Sequence, residues 1–223
     1  MPIRWDLTDE ELYPLLDSIN GVFFAGGGSD LVDMETGDQS VLYQLAVKIF
    51  DYMKVQKDEK GIEWPIHGIC QGFEIIHYLA NCSDKSTLSN VDIYGESRPM
   101  IWNVEDPKRD SRIFSVFPQE LVDKLDTEGL ALHAHTWTIK KDTYEERKCL
   151  RDFYNIIATD VHEGDEFVVA VESPLYPISG TMFHPETQNR HIVGCDECGY
   201  LTGKVNDPTS DALNFYYSKY IRD

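Results

Sequence analysis

Apolar positions change their period several times along the chain, and each change marks an element. Thr8-Asp9-Glu10-Glu11 has the form of a capping box opening a short helix through Leu12, Leu15 and Leu16, which Pro14 would kink or shorten. The unbroken apolar run Ile19 to Phe24 predicts a buried strand, turned by Gly26-Gly27-Gly28. Val41, Leu42, Leu45, Ala46, Ile49 and Met53 recur at helical spacing within 39–55. A strand at 64–69 and a helix at 71–81 follow, then a polar, irregular stretch over 82–110 expected to hold only short strands. Phe117 to Leu125 reads as a short helix, and strands are expected at 130–134, 153–159, 166–172 and 178–183. A last helix starts at Ser210 or Asp211 and runs through Leu213, Phe215, Tyr216 and Tyr220. Strands that first alternate with helices and later follow one another predict an α/β fold: a doubly wound, mostly parallel sheet flanked by helices, with an antiparallel edge.

One junction in this pattern carries chemistry. The strand ending in Ile66-His67-Gly68-Ile69 meets Cys70, then Gln71-Gly72-Phe73-Glu74 opens a helix. A strand-to-helix turn this tight holds its central residue in a sparsely populated backbone conformation and leaves almost no room for side chains two positions away. Gly68 and Gly72 satisfy that demand, as the glycines do in the serine elbow of α/β-hydrolases, with sulfur here in place of oxygen. At a helix N-terminus the free N–H groups and the dipole favour an anion. A buried structural cysteine in a Gly-flanked bend would show the same local pattern.

A second feature bears on that choice. Gly180-Thr181-Met182-Phe183 is a short strand ending in His184-Pro185-Glu186. The proline stops the strand and pushes the His184 backbone to extended geometry. The imidazole then stands at the C-terminal end of a strand, where open α/β sheets keep their sites. Glu186 can turn back to orient and charge-stabilise it.

With the Gly-x-Cys-x-Gly elbow and the His-x-Glu pair, the chain resembles class I glutamine amidotransferase-like (flavodoxin-like) domains. More narrowly it resembles the γ-glutamyl hydrolases, the folate polyglutamate hydrolases of peptidase family C26. The closer match rests on Ile19 to Leu31 with its Gly26-Gly27-Gly28 loop, Ser111-Arg112-Ile113-Phe114, His135-Thr136-Trp137-Thr138-Ile139, and Tyr176 to Glu186. Ala25 stands where that family usually has proline, and Gln71 where leucine is frequent.

The resemblance implies a cysteine hydrolase of γ-glutamyl bonds, first of folate poly-γ-glutamates, with a thioester intermediate. Cys70 would be the nucleophile, His184 the general acid and base, and Glu186 its orienting partner. Backbone N–H groups of Gln71 and of Gly27 or Gly28 would form the oxyanion hole. His135, matching the family's His-x-Trp, would bind substrate with Trp137 and Gly26, although His133 would share a strand face with His135. No cofactor is implied. Relatives often form homodimers and act in lysosomes, vacuoles or outside the cell. A hydrolase of another γ-glutamyl amide is the runner-up, and a synthetase-coupled amidotransferase is disfavoured because no ammonia-accepting domain is evident. A non-catalytic relic is the reading from a different class. Its motivation is the leading β-α unit that relatives carry before the equivalent of Pro2-Ile3.

Composition bounds these readings. The 223 residues, with 42% apolar and 26% charged, fit a single domain over 1–223, which the resemblance implies is N-terminally incomplete. The net charge of −19, from 39 acidic and 20 basic residues, argues against nucleic acid and against anionic membranes as partners. An anionic polyglutamate tail would therefore need local basic residues. No run is long and apolar enough for a transmembrane helix, and Met1 to Asp6 has no signal-peptide core. The five cysteines have irregular spacing and imply no disulfide framework. Cys195 and Cys198, with His191 before them, offer at most three zinc ligands, so no metal is expected and a loop pair or local disulfide is preferred.

Overall fold

The computed structural model describes residues 1–33, 35–80, 87–187 and 208–222. Cys82, His191, Cys195 and Cys198 lie outside the described residues. Helix α1 (Asp9–Asp17) begins at the expected capping box: the Glu11 carboxylate accepts a hydrogen bond from the Thr8 N–H at 3.0 Å, and Pro14 sits inside the helix. Strand β1 (Val22–Phe24) leads through the glycine loop to α2 (Val41–Lys60). The Ser40 hydroxyl caps α2 by accepting from the Tyr43 N–H. This helix outruns its apolar pattern by a polar final turn, which carries Lys57 and Lys60 where cations suit the dipole. Strand β2 (Ile66–Ile69), buried throughout, runs straight into α3 (Gln71–Leu79).

Where the sequence predicts irregular chain, the structure has a ten-residue strand, β3 (Ser89–Arg98). It is followed by the short β4 (Ile101–Trp102), α4 (Pro107–Asp110), α5 (Arg112–Ser115) and α6 (Gln119–Leu125). Strand β5 (Ala131–Thr138) pairs antiparallel with β3, with Ile93 opposite His135 and Glu96 opposite His133. The register shifts between Tyr94 and Glu96, where Gly95 takes φ +70°. The alternation of β3 is hard to read because one of its inward positions is that glycine and Tyr94 points outward. Helices α7 (Lys141–Glu146) and α8 (Lys148–Phe153) precede the hairpin β6 (Asn155–His162) and β7 (Asp165–Glu172). Strand β8 (Ile178–Thr181) and helix α9 (Pro208–Arg222) complete the described elements.

The main sheet has the order β1-β2-β8-β7-β6-β4. β1, β2 and β8 are parallel, and β7, β6 and β4 extend them as the antiparallel edge. The expected α/β class is thus observed, and β2 and β8 are neighbours, pairing Gly68 with Gly180 and Ile69 with Thr181. Helix α9 is held to the outer side of these strands by hydroxyls as well as packing. Tyr217 bonds His67 and, at 2.9 Å, Thr181, while Tyr220 bonds Ser179 at 2.7 Å. No described helix is long and apolar enough to cross a membrane.

Candidate active site

Cys70 stands between β2 and α3 at φ 51°, ψ −110°, one of two non-glycine residues with positive φ among those described. The turn is possible only because its flanks lack side chains. A Cβ on Gly68 would lie 2.3 Å from the Gly72 carbonyl oxygen, and one on Gly72 would lie 2.0 Å from that of Phe24. The conformation is pinned on both sides: Cys70 N–H donates to the Thr181 carbonyl at 3.0 Å, and its carbonyl accepts from Glu74 N–H at 3.1 Å. The side chain is buried, with Sγ 3.8 Å from the Ala134 carbonyl oxygen on β5.

His184 follows β8 by three residues, and its N–H donates to the Leu132 carbonyl at 2.8 Å, which ties it to β5. Its Nδ1 lies 2.8 Å from Glu186 Oε1, so the carboxylate holds a proton on Nδ1 and leaves Nε2 as the other working nitrogen. Burial lowers the imidazole pKa, but the Cys70 sulfur and the Glu186 carboxylate outweigh it and lift the value to about 10. Gly26 marks how closely the parts meet: a Cβ there would lie 2.9 Å from His184 Cε1 and 3.4 Å from Cys70 Cβ. The fold therefore brings Cys70, His184, Glu186 and Gly26 together from three distant stretches of chain.

A cavity of about 300 Å³ opens in front of Cys70 and is lined by Gly27, Gly28, Gln71, His135 and Trp137, all expected near the substrate. Gly26 borders a neighbouring cavity instead. The Gln71 amide reaches into the glycine loop and donates to the Ser29 carbonyl, and a Cβ on Gly27 would meet that amide at 2.5 Å. Gln71, at the family's frequent leucine position, thus braces the loop. Trp137 and Tyr94 remain well exposed at the cavity wall.

His133 and His135 do share a strand face, and the tertiary structure separates their positions. His135 lines the cavity while His133 lies behind it, with His133 Nδ1 3.0 Å from His135 Nε2. Asp160 Oδ2, bonded by Arg98 Nε at 2.5 Å, stands 3.8 Å from His133 Nε2. Burial, and then the charge of His184, pull the His135 pKa down to about 3; burial and His135 hold His133 well below its ordinary value. Both rings are neutral near pH 7. Sequence reasoning left His133 unassigned and passed over Glu74, which lines the same cavity four residues after Cys70. Helical spacing from Cys70 was the available signal for Glu74. Among the described residues no group of three or more His, Cys, Asp or Glu side chains could hold a metal ion.

No protein-family model matches the chain. It is 31% identical to a γ-glutamyl hydrolase of Mus musculus over 99% of its own length and 64% of that protein. Against the γ-glutamyl hydrolase of Homo sapiens it is 32% identical over 83% of its length and 55% of the relative. Against γ-glutamyl hydrolase 1 of Arabidopsis thaliana the identity is 27%, over 83% of this chain and 51% of that one. The chain thus spans between half and two thirds of the length of these curated relatives. Among solved structures, the glutaminase domain of Trypanosoma brucei CTPS with bound acivicin superposes with a TM-score of 0.54 at 15% identity, covering 94% of this chain and 75% of that one. In sequence the chain is similar to the γ-glutamyl hydrolases, and its fold is that of the class I glutamine amidotransferase-like domains.

Proposed function

We propose that this protein hydrolyses γ-glutamyl bonds with Cys70 as nucleophile. The observation that carries the reading is the imidazole of His184, set against Cys70 on one side and bonded to Glu186 at 2.8 Å on the other. The Cys70 thiolate attacks the side-chain carbonyl carbon of the γ-glutamyl bond. The oxyanion is taken by the N–H of Gln71, unpaired within the first turn of α3, and by one from Gly27 or Gly28. His184 gives its proton to the nitrogen as the C–N bond breaks, releasing the amine and leaving a thioester on Cys70. Water, deprotonated by His184, attacks the thioester; the glutamyl acid departs and Cys70 is regenerated with a proton shared in the pair. A neutral His135 at the cavity wall offers a hydrogen bond to substrate without adding a competing cation.

Poly-γ-glutamyl folates are the first substrates to try, on the strength of the sequence similarity, and smaller γ-glutamyl amides are the second. A lysosomal, vacuolar or extracellular site of action agrees with the disulfide bond at Cys149, which persists in oxidising compartments. A homodimer is the assembly to expect by the same similarity. Incubation with folate polyglutamate, γ-glutamyl amines and glutamine, followed by identification of the released amine and mass spectrometry of Cys70, tests the activity. Turnover with a glutamyl adduct on Cys70 supports it; no released amine and no adduct from any of the three defeats it, and leaves the non-catalytic relic.

A further inference from the structure

The loop that carries Gly27 and Gly28 runs between two cavities. Gly27, Gly28, Ser29 and Asp30 border the cavity in front of Cys70, while Phe24, Ala25 and Gly26 border its neighbour of about 720 Å³. The buried side chain of Gln71 lines both. Few bonds hold this stretch in place. Among the described residues, Gln71 makes the one side-chain hydrogen bond to the chain between Gly26 and Asp30. Outside helices and strands, no backbone group of those five residues bonds to another described backbone group. Open space surrounds Gly28, with nothing within 4 Å of where its Cβ would stand. Consecutive glycines leave a backbone freer than any other residues do. An N–H that must first be brought into place stabilises an oxyanion less than one already fixed. A side chain that ties this loop down therefore bears on the reaction and not on stability alone.

We propose that Gln71 is, through its side chain, a positioning residue that holds the glycine loop so that the N–H of Gly27 or Gly28 converges with the N–H of Gln71 itself. The inference rests on the hydrolase reading, in which these two groups take the oxyanion, and assigns how they are held together. One residue then fixes both halves of the oxyanion hole. Its backbone N–H belongs to the first turn of α3, directly after Cys70, and is set by the helix. Its amide Nε2 donates to the carbonyl of Ser29, just past the two glycines. Its Oε1 occupies the space that a side chain at position 27 would need, 2.5 Å from a Cβ there. Contact and hydrogen bond thus fall on either side of Gly28, and the loop cannot swing away from Cys70 without losing both. A leucine at this position would keep the backbone N–H and an apolar fill but lose the tether.

Gln71→Leu tests this on whichever of folate polyglutamate, γ-glutamyl amines and glutamine the wild-type protein cleaves. Alkylation of Cys70 by iodoacetamide, a reaction without an oxyanion, is followed alongside. kcat is expected to fall by roughly 10- to 100-fold, short of the roughly 10²–10³ lost when a donor is removed outright, with KM and the alkylation rate within about twofold of wild type. Gln71→Met, unbranched and adaptable, gives the same readout should the leucine variant not fold. Ala25→Pro stiffens the loop from its other end. Ala25 is exposed just beyond the edge strand β1 and is not among the residues with positive φ. Since Val22 N–H donates to Pro65 on the β2 side, alternation turns the Ala25 N–H to the open edge, where a proline removes no ladder bond. Added to Gln71→Leu, it should recover part of the lost kcat. An unchanged kcat in Gln71→Leu, a joint fall of kcat and alkylation, or a double variant no faster than Gln71→Leu overturns the assignment and leaves the hydrolase reading in place. A wild-type protein that cleaves none of the three substrates and forms no Cys70 adduct overturns the hydrolase reading, and this inference with it.

Discussion

The Nδ1 of His184 lies 2.8 Å from a carboxylate oxygen of Glu186, across the single intervening Pro185. The proline fixes the chain so that a residue two positions on can return to the ring. The bond sets which nitrogen keeps its proton. With Cys70 it also accounts for an imidazole that stays charged to about pH 10 despite its burial.

That pairing predicts the alkaline limb of the pH profile. The folded-state value is raised, so the imidazolium is fully present below the ordinary histidine range near 6.5 and is lost as pH climbs through about 10. kcat/KM should hold through pH 8 and fall on approaching 10, as a property of the coupled Cys70–His184 pair. Replacing Glu186 with glutamine should move this limb down by about one unit, since one of two anions is gone. A limb that does not move excludes Glu186 as an orienting anion.

Cys70→Ala should lose turnover and adduct formation while its circular dichroism stays that of the parent. Cys70→Gly should be equally inactive and more stable, because glycine relieves a residue held at φ 51°. Relief of about 1 kcal/mol corresponds to roughly 2–4 °C in Tm for a chain of this size. An inactive glycine variant that melts below the alanine variant would show that the turn is not strained.

Gly72→Ala sets a methyl group 2.0 Å from the Phe24 carbonyl oxygen, backbone against backbone. Neither side can yield without parting α3 from β1. The variant should be destabilised by more than about 3 kcal/mol, the range reserved for overpacking and strain in a core. Urea denaturation measures this directly, and a loss under 1 kcal/mol would mean that the elbow is looser than described.

His135→Asn should lower kcat/KM by about tenfold or more, the worth of one hydrogen bond in a dry site. His133→Asn should act through His135, which it bonds at 3.0 Å, and be the milder of the two. If kcat/KM is unchanged in His135→Asn, the ring is part of the wall and no more.

Glu172 predicts a stability effect remote from the site. Its buried carboxylate accepts hydrogen bonds from Ser111 Oγ at 2.6 Å, from the N–H groups of Arg112 and Ile113 at 2.9 Å each, and from Arg112 Nε at 3.1 Å. Glu172→Ala orphans these donors and should cost about 3–5 kcal/mol, read as a fall in urea midpoint. The Ser111-Arg112-Ile113-Phe114 stretch, noticed in the sequence only as a likeness, owes its place to this carboxylate.

What the sequence by itself determined is whatever short-range sterics dictate. A cysteine between Gly68 and Gly72 at a strand-to-helix junction, and a histidine stopped by proline with an acid next in line, are set by covalent geometry within a few residues. Their roles as a candidate site could be read before any fold was known, and so could the helices and the buried strands around them. Only the tertiary structure brought Cys70 and His184 together, by pairing β2 with β8 across more than a hundred residues of intervening chain. It alone laid the β3–β5 ribbon over the cavity, because one inward position of β3 is Gly95 and an outward one is Tyr94, so residue type hides an alternation that burial shows. It alone distinguished the placement of His135 from that of His133 and set Glu74, partly buried, in the cavity wall. Period and spacing are local quantities; burial, and the pKa values that follow from it, depend on what distant segments place alongside.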